Sequence, residues 1–301
     1  MAVFAISSSA LLARVADAHP LSIAFWRSIG AAIVLGSVGM ARTRSRFSPT
    51  LGAATSPPEH AGRWILVAGV ALAAHFGTWL VSLEMTSVAA SVTLVTTAPL
   101  VLALSLTVRG QRPNTATWIA IGLALTGTLV ITGGDATGIG VSGNDGPWRA
   151  LAGDALALFG AAMMAVYLTV GQRMRSTMST VDYATRTYTV ASLVLLMAII
   201  PLGITVWGYT LTTWLALAGM VIGPQIAGHT VLNLLLKELG PVTVSMVLPL
   251  EPIGAVLLVW LFLGELPPIT AALGAPLVIV GLVIHLRGQA RQPQVLLESV
   301  G

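Results

Sequence analysis

The chain has 301 residues, of which 55% are hydrophobic and 9% charged, with a formal net charge of +4 and no cysteine. Soluble domains carry roughly a quarter charged residues, so there is too little polar material here to cover a water-facing surface; the mean hydropathy of +0.88 points to the bilayer as solvent. Absence of cysteine excludes disulfides and thiolate metal sites, and the basic residues fall between apolar runs rather than on one element, which excludes a nucleic-acid-binding face.

A membrane span needs about 20 mostly apolar residues to cross ~30 Å of hydrocarbon. Taken in chain order, such runs lie near 1–16, 21–41, 64–83, 87–108, 115–132, 151–172, 182–203, 211–236, 241–263 and 268–286, which predicts ten transmembrane helices. No cleavable signal with a charged start and a small-residue cleavage site precedes them. The first run is short for a span, so the chain is expected to have lost a few residues at its start. His19-Pro20, Pro57-Pro58, Arg112-Pro113, Gly240-Pro241 and Pro267-Pro268 punctuate the runs. Residues 42–63 form a polar, Pro-rich connection. Residues 133–149 form a Gly-rich linker that separates a first unit, 1–132, from a second, 150–286, followed by a tail, 287–301. The linker contains GIGVSG at 138–143, which fits a dinucleotide-binding pattern; it lacks the strand that such a motif requires and reads as flexible chain.

Orientation follows from Lys and Arg. With the N-terminus inside, Arg42, Arg44, Arg46, Arg63, Arg109, Arg112, Arg173, Arg175, Arg186, Lys237, Arg287 and Arg291 fall on the inner side, whereas Arg14, Arg27 and Arg149 do not. Shifting the helix count by one destroys that bias. Both termini are therefore expected in the cytoplasm.

Two stretches carry the same unusual pair. HFGTWLVSLE at 75–84 and HTVLNLLLKE at 229–238 each place a His nine positions before a Glu, 154 positions apart in a chain with five histidines. At the same offset Ser91 meets Ser245, Gly110 meets Gly264 and Gly127 meets Gly281. The repeating unit holds five helices. Five is odd, so the second copy must enter the membrane upside down, the inverted-repeat plan that many secondary transporters build around a site at mid-membrane. Nine helical residues put each His about 13.5 Å from its Glu, so both histidines are expected near the bilayer centre, approaching from opposite sides.

FWR at 25–27, TSVAASVTLVTTAPLVLAL at 86–104, LEPIGAVLLVWLFLGE at 250–265 and the glycines after each turn resemble the drug/metabolite transporter superfamily, of the EamA-like type. The resemblance runs from about residue 4 to 286. The chain departs from the family pattern at Gln111, where a Glu is common, and in its short first helix. The resemblance implies an all-α integral membrane protein, ten helices as two inverted five-helix repeats around a central cavity. It further implies carriage of small organic molecules across the inner membrane without a cofactor, with export rather than uptake expected on family grounds alone.

Ionisable groups at helix centres cost about 2.5–3.5 kcal/mol each, so they line cavities or pair. Glu251, mid-span beside Pro252, reads either as a protonatable group in the cavity or as a structural carboxylate serving broken backbone. His75 and His229 are expected to bind substrate or carry protons, against an interhelical hydrogen bond as the plain alternative. Trp79 and Asn233 follow four positions later on the same faces and join the expected lining. Arg27 is expected to make a structural pair, to snorkel, or to hold a substrate carboxylate. Tyr167, Tyr188 and Thr97 are further candidates, Thr97 also as a hydroxyl that serves the helix break at Pro99. Asp154 is expected in the first turn of the sixth helix, where the dipole favours a carboxylate. Expected partners are a small-molecule substrate and membrane lipid, with neither metal nor nucleic acid, and with proton coupling resting on Glu251 and the histidines; the chain is expected to be a monomer or homodimer. A flippase for a lipid-linked carrier and, more distantly, an integral membrane enzyme are the competing functions.

Overall fold

A computed structural model describes residues 1–45, 60–86, 88–133, 146–263 and 269–290. Among these residues there is no strand. The helices are α1 (Ala2–Val15), α2 (Pro20–Ser45), α3 (Ala61–Met85), α4 (Val88–Val95), α5 (Ala98–Val108), α6 (Thr115–Gly133), α7 (Gly146–Arg175) and α8 (Thr180–Ile199). There follow α9 (Leu211–Met220), a π-helical stretch Val221–Thr230, α10 (Val231–Ser245), a 3-10 turn Leu248–Leu250, α11 (Glu251–Leu263) and α12 (Ile269–Ala290).

Six stretches are long and apolar enough to cross a bilayer: Pro20–Ala41, Ala61–Met85, Ala90–Val108, Trp148–Arg175, Leu211–Ser245 and Ile269–Ala290. Three more, Ala2–Val15, Thr115–Ile131 and Leu248–Phe262, are apolar but shorter. Helix α8 carries Asp182 and Arg186 in its first two turns, which lowers its hydropathy. The chain is a multi-pass membrane protein.

Several expected boundaries moved. Helix α7 begins at Gly146, inside the expected linker, so Asp154 lies two turns in rather than in the first turn. Its partner is the Thr86 hydroxyl, which donates to it at 2.7 Å. The GIGVSG stretch, most of the 42–63 connection and residues 291–301 of the tail lie outside the described residues. Gly240 breaks α10 at φ 73°, ψ 166°, a conformation that the missing Cβ permits, and Pro241 starts the next helical direction.

The bundle has two recognisable ends. At one, Arg173 at the close of α7 lies over the ring of Trp64 at the start of α3, 4.6 Å from its centroid. His285, near the end of α12, sits there between Thr117 of α6 (3.3 Å) and Thr243 beyond the Gly240 break (3.0 Å). We call this the arginine end. At the other, Ser22 and Trp26 of α2 donate to the carbonyls of Thr205 and Val206 at 2.9 and 2.8 Å, and Trp26 packs edge-on against Trp207 and Trp214. Thr86 and Asp154 close that far end between α3 and α7.

Packing across the two halves is reciprocal. Helix α3 lies along α7, and α1 lies along α9 and the π stretch; α2 pairs with α8 and α6 with α12. The α6–α12 seam is antiparallel and closes at backbone distance. A Cβ on Gly127 would stand 2.7 Å from the Gly274 carbonyl, and one on Gly281 would stand 2.7 Å from the Ala120 carbonyl. Adding 154 to 127 and 120 gives 281 and 274, so the two contacts are the same contact seen from each half. Gly219 and Gly223 pack on Leu12 and Ser8 of α1, as the small-residue spacing predicts.

A methyl group at Gly127 would meet the Gly274 carbonyl at 2.7 Å and the Val278 amide nitrogen at 2.9 Å, backbone of α12 that cannot give way as a flexible side chain would. Gly127→Ala should lower unfolding stability in detergent by about 1–3 kcal/mol. Gly122→Ala, on the open side of the same helix with nothing within 4 Å, should be neutral or stabilising. Thermal melts of the two variants compare them directly.

Candidate central site

The histidines of α3 and the π stretch meet in the middle of the bundle, ring centroids 6.4 Å apart, and both are buried. His75 Nδ1 lies 2.9 Å from the Gly160 carbonyl of α7. A carbonyl only accepts, so Nδ1 carries the hydrogen and the neutral ring keeps Nε2 as an acceptor. Trp79 stacks on His75 at 12° and 6.4 Å, and the Phe76 ring meets His229 edge-on at 5.0 Å. His229 Nδ1 has no hydrogen-bond partner, nor has Trp79 Nε1.

His75, Trp79 and His229 border a void of about 20 Å³, lined also by Ser9, Thr96, Met164, Leu248 and Glu251. It has room for about one water molecule. Glu251 reaches it because the helix before it is broken: the Leu248–Leu250 3-10 turn hands over to α11 at Glu251, with Pro252 in the first turn. The α4–α5 break at Thr96–Thr97, with Pro99 following, presents Thr96 from the facing side.

Arg27 is fully buried, so it does not snorkel. Its Nε donates to Gln225 Oε1 at 2.8 Å, Nη1 donates to Ser9 Oγ at 3.3 Å, and the guanidinium lies 3.9 Å over the Phe76 ring. Its Nη2 has no partner, nor does Gln225 Nε2. Glu251 is within electrostatic reach of Arg27. Arg27 pairs, but with an amide and a hydroxyl rather than a carboxylate.

Four of the expected lining residues, His75, Trp79, His229 and Glu251, border the void together, and Arg27 adjoins it through Ser9. Four, Thr97, Asn233, Tyr167 and Tyr188, do not border it. Thr97 is half-buried and donates to the Leu94 carbonyl at 2.7 Å, because the break turns Thr96 inward instead. Asn233, Tyr167 and Tyr188 sit elsewhere, the Asn233 amide 2.5 Å from the Tyr167 hydroxyl and 3.5 Å from that of Tyr188. The reason is direction. Along α3 the step from His75 to Trp79 moves about 6 Å toward the far end; along α10 the step from His229 to Asn233 moves about 6 Å toward the arginine end. The void lies on the tryptophan side of the histidines, so Asn233 cannot reach it.

Gln225 and Ser9 escaped the sequence reading. A glutamine directly after Pro224, deep in an apolar run, was a readable signal; the π geometry that aims it at Arg27 was not. Such stretches are rare and gather at functional sites. Among the described residues no group of three or more His, Asp or Glu is placed to hold a metal ion.

The family comparison decides what kind of bundle this is. The model of the EamA-like transporter family matches residues 1–133 and again 151–287. The chain belongs to the EamA-like transporter family. It is a membrane transporter of the drug/metabolite type, and residues of both matched stretches of this EamA-like chain line the central void. A crystal structure of another protein, 22% identical, superposes on it with a TM-score of 0.75 over 96% of this chain and 95% of that one, which shows a shared fold. Comparison with curated proteins gives no match.

Gln225→Leu strips the Arg27 Nε of its acceptor in a dry environment. Unfolding in detergent should lose about 1–3 kcal/mol, more than for a lipid-facing substitution such as Leu193→Ala. Chemical or thermal denaturation measures it.

Proposed function

We propose that this EamA-like protein is a secondary transporter for small organic metabolites, built of ten spans in two inverted five-helix repeats and working by alternating access. The observation that carries this reading is the meeting of His75 and His229, equivalent by sequence offset, at one central void reached from both halves. Support for inversion comes from the seam, where equivalent helices α6 and α12 run antiparallel through matched glycine contacts. The inner-membrane location, cytoplasmic termini and outward direction of transport rest on the arginine distribution and the family resemblance.

The site's chemistry narrows the solute. Arg27 Nη2, Gln225 Nε2 and Trp79 Nε1 are donors without acceptors, and Glu251 supplies a carboxylate nearby. That combination suits a molecule with an anionic group and a cationic or donor nitrogen, as amino acids and their relatives have. Binding pockets for such ligands measure about 300–1,000 Å³. The void of about 20 Å³ corresponds to a conformation closed around the centre, and substrate enters when the halves move apart. Glu251 and the histidines are the groups through which protons would couple to that movement.

One observation favours a second reading, a flippase for a lipid-linked carrier. A groove of about 290 Å³ runs on the outer side of α3, lined by apolar residues including Val70, Ala74, Gly77, Leu156, Val194 and Leu195. An acyl or prenyl chain would fit it while a polar head approached the histidines.

A thermal-shift screen of the purified protein against amino acids and lipid-linked sugars separates the two. A bound solute at a hundredfold its Kd should stabilise the protein by about 2.7 kcal/mol. The transporter reading expects an amino-acid-like hit that disappears in Trp79→Ala and Glu251→Ala. Stabilisation by lipid-linked sugars alone would favour the flippase. Liposome transport that runs unchanged in Glu251→Gln without a pH gradient would remove proton coupling.

A further inference from the structure

A second buried polar cluster lies between the histidines and the arginine end, enclosed by α7, α8 and α10. Asn233 Nδ2 donates to the Tyr167 hydroxyl at 2.5 Å and faces the Tyr188 hydroxyl at 3.5 Å. Tyr188 and Thr230 share a hydrogen bond at 3.1 Å, and Thr230 donates to the Gln225 carbonyl at 3.0 Å. The Tyr183 ring stacks on Tyr167 at 6.3 Å and 22°. Arg175 Nε donates to the Asn233 carbonyl at 3.2 Å, while its Nη1 bonds the Met178 carbonyl at the mouth of the α7–α8 turn. These bonds form a polar column from Gln225, which holds Arg27, down to Arg175.

The column is poorly satisfied. Asn233 Oδ1 has no hydrogen-bond partner, and the hydroxyls of Tyr183 and Thr187, one turn apart on α8, have no partner beyond each other. All three side chains are fully buried. Exchanging the oxygen and nitrogen of the Asn233 amide would leave the nitrogen without a partner instead. An unpartnered buried polar atom costs about 1–3 kcal/mol, and hydrocarbon offers no water to repair it. If bundle stability alone shaped this layer, Phe, Val and Leu would serve it better at positions 183, 187 and 233.

Gly171 adds a steric argument. A Cβ there would stand 3.1 Å from the Tyr183 hydroxyl and 2.7 Å from Leu236, so the glycine leaves the phenol a place beside α7. The counterpart position to Asn233, Trp79, borders the void on the other side of the histidines. The two halves therefore differ: one side of the histidine layer is open to the void, and the other is filled by phenols and an amide.

From this we infer that Tyr183, Thr187, Tyr188 and Asn233 form a second polar station, on the route between the central site and the arginine end, which takes up water and then the polar head of the solute when that end opens. The inference rests on the transporter reading. In the described conformation the station is shut, with Tyr167 and Asn233 bridging α7 to α10 across it. Opening needs α7 and α8 to part from α10, which frees the unpartnered atoms to bond water or solute.

The chain has no cysteine, so a single engineered thiol reads one position without background. In sealed vesicles of known orientation, Thr187→Cys should react with the membrane-impermeant reagent 2-sulfonatoethyl methanethiosulfonate from the arginine end. Its rate should exceed by at least about tenfold that of Leu193→Cys, which faces lipid on the same helix. Labelling no faster than Leu193→Cys from that end overturns the inference. Should Thr187→Cys fail to fold, Thr187→Val decides: a melting temperature equal to or above the parent's supports a hydroxyl kept for passage, and a lower one shows a structural hydroxyl and overturns the inference. A parent protein that carries solutes while Thr187→Cys stays unlabelled defeats the station alone; a parent that moves neither amino acids nor lipid-linked sugars defeats the transporter reading itself.

Discussion

The interior of this protein is organised around a guanidinium placed where water cannot follow. Arg27 is fully enclosed, and among the described residues its hydrogen-bond partners are an amide and a hydroxyl, with an aromatic face beneath it. Such a charge is tolerable only if its donors are met and the elements around it are fixed. Gln225 meets one donor because the π stretch turns it toward α2, Ser9 meets another from α1, and Phe76 covers the flat side from α3. Three segments, drawn from both halves, converge on one side chain of α2. The remaining donor, Nη2, has no hydrogen-bond partner among the described residues.

From that centre the asymmetry of the bundle follows. Each half brings a histidine to the same layer, and each continues four residues beyond it in its own direction. One continuation ends in Trp79 beside the void; the other ends in Asn233 among tyrosines. Under the alternating-access reading proposed above, a closed bundle with more slack on one side of its central layer corresponds to one stage of such a cycle.

Much of this was readable from the chain. The all-helical character and six membrane-length spans followed from apolar run length and the Pro and Gly stops, and the arginine clusters marked the end where Arg173 lies against Trp64. The paired His and Glu forecast a central meeting because few histidines exist to coincide by chance. Other features depend on distances that no pattern records. Thr96 and Thr97 differ by one residue, and only the geometry of the break decides which faces inward. Asn233 looked equivalent to Trp79 because the offset made it so; inversion of direction, acting over one helical turn, sent it to the opposite side. Gln225 carried a signal in its neighbour Pro224, but the ten-residue π stretch from Val221 to Thr230 lies beyond what periodicity reveals.

The glycine seam between α6 and α12 has a mechanical consequence. Two helices whose backbones touch at Gly127, Gly274 and Gly281 cannot slide lengthwise, because a shift of one residue would drive a side chain into a carbonyl. The seam thus keys α6 to α12 and holds the two halves in one lengthwise register.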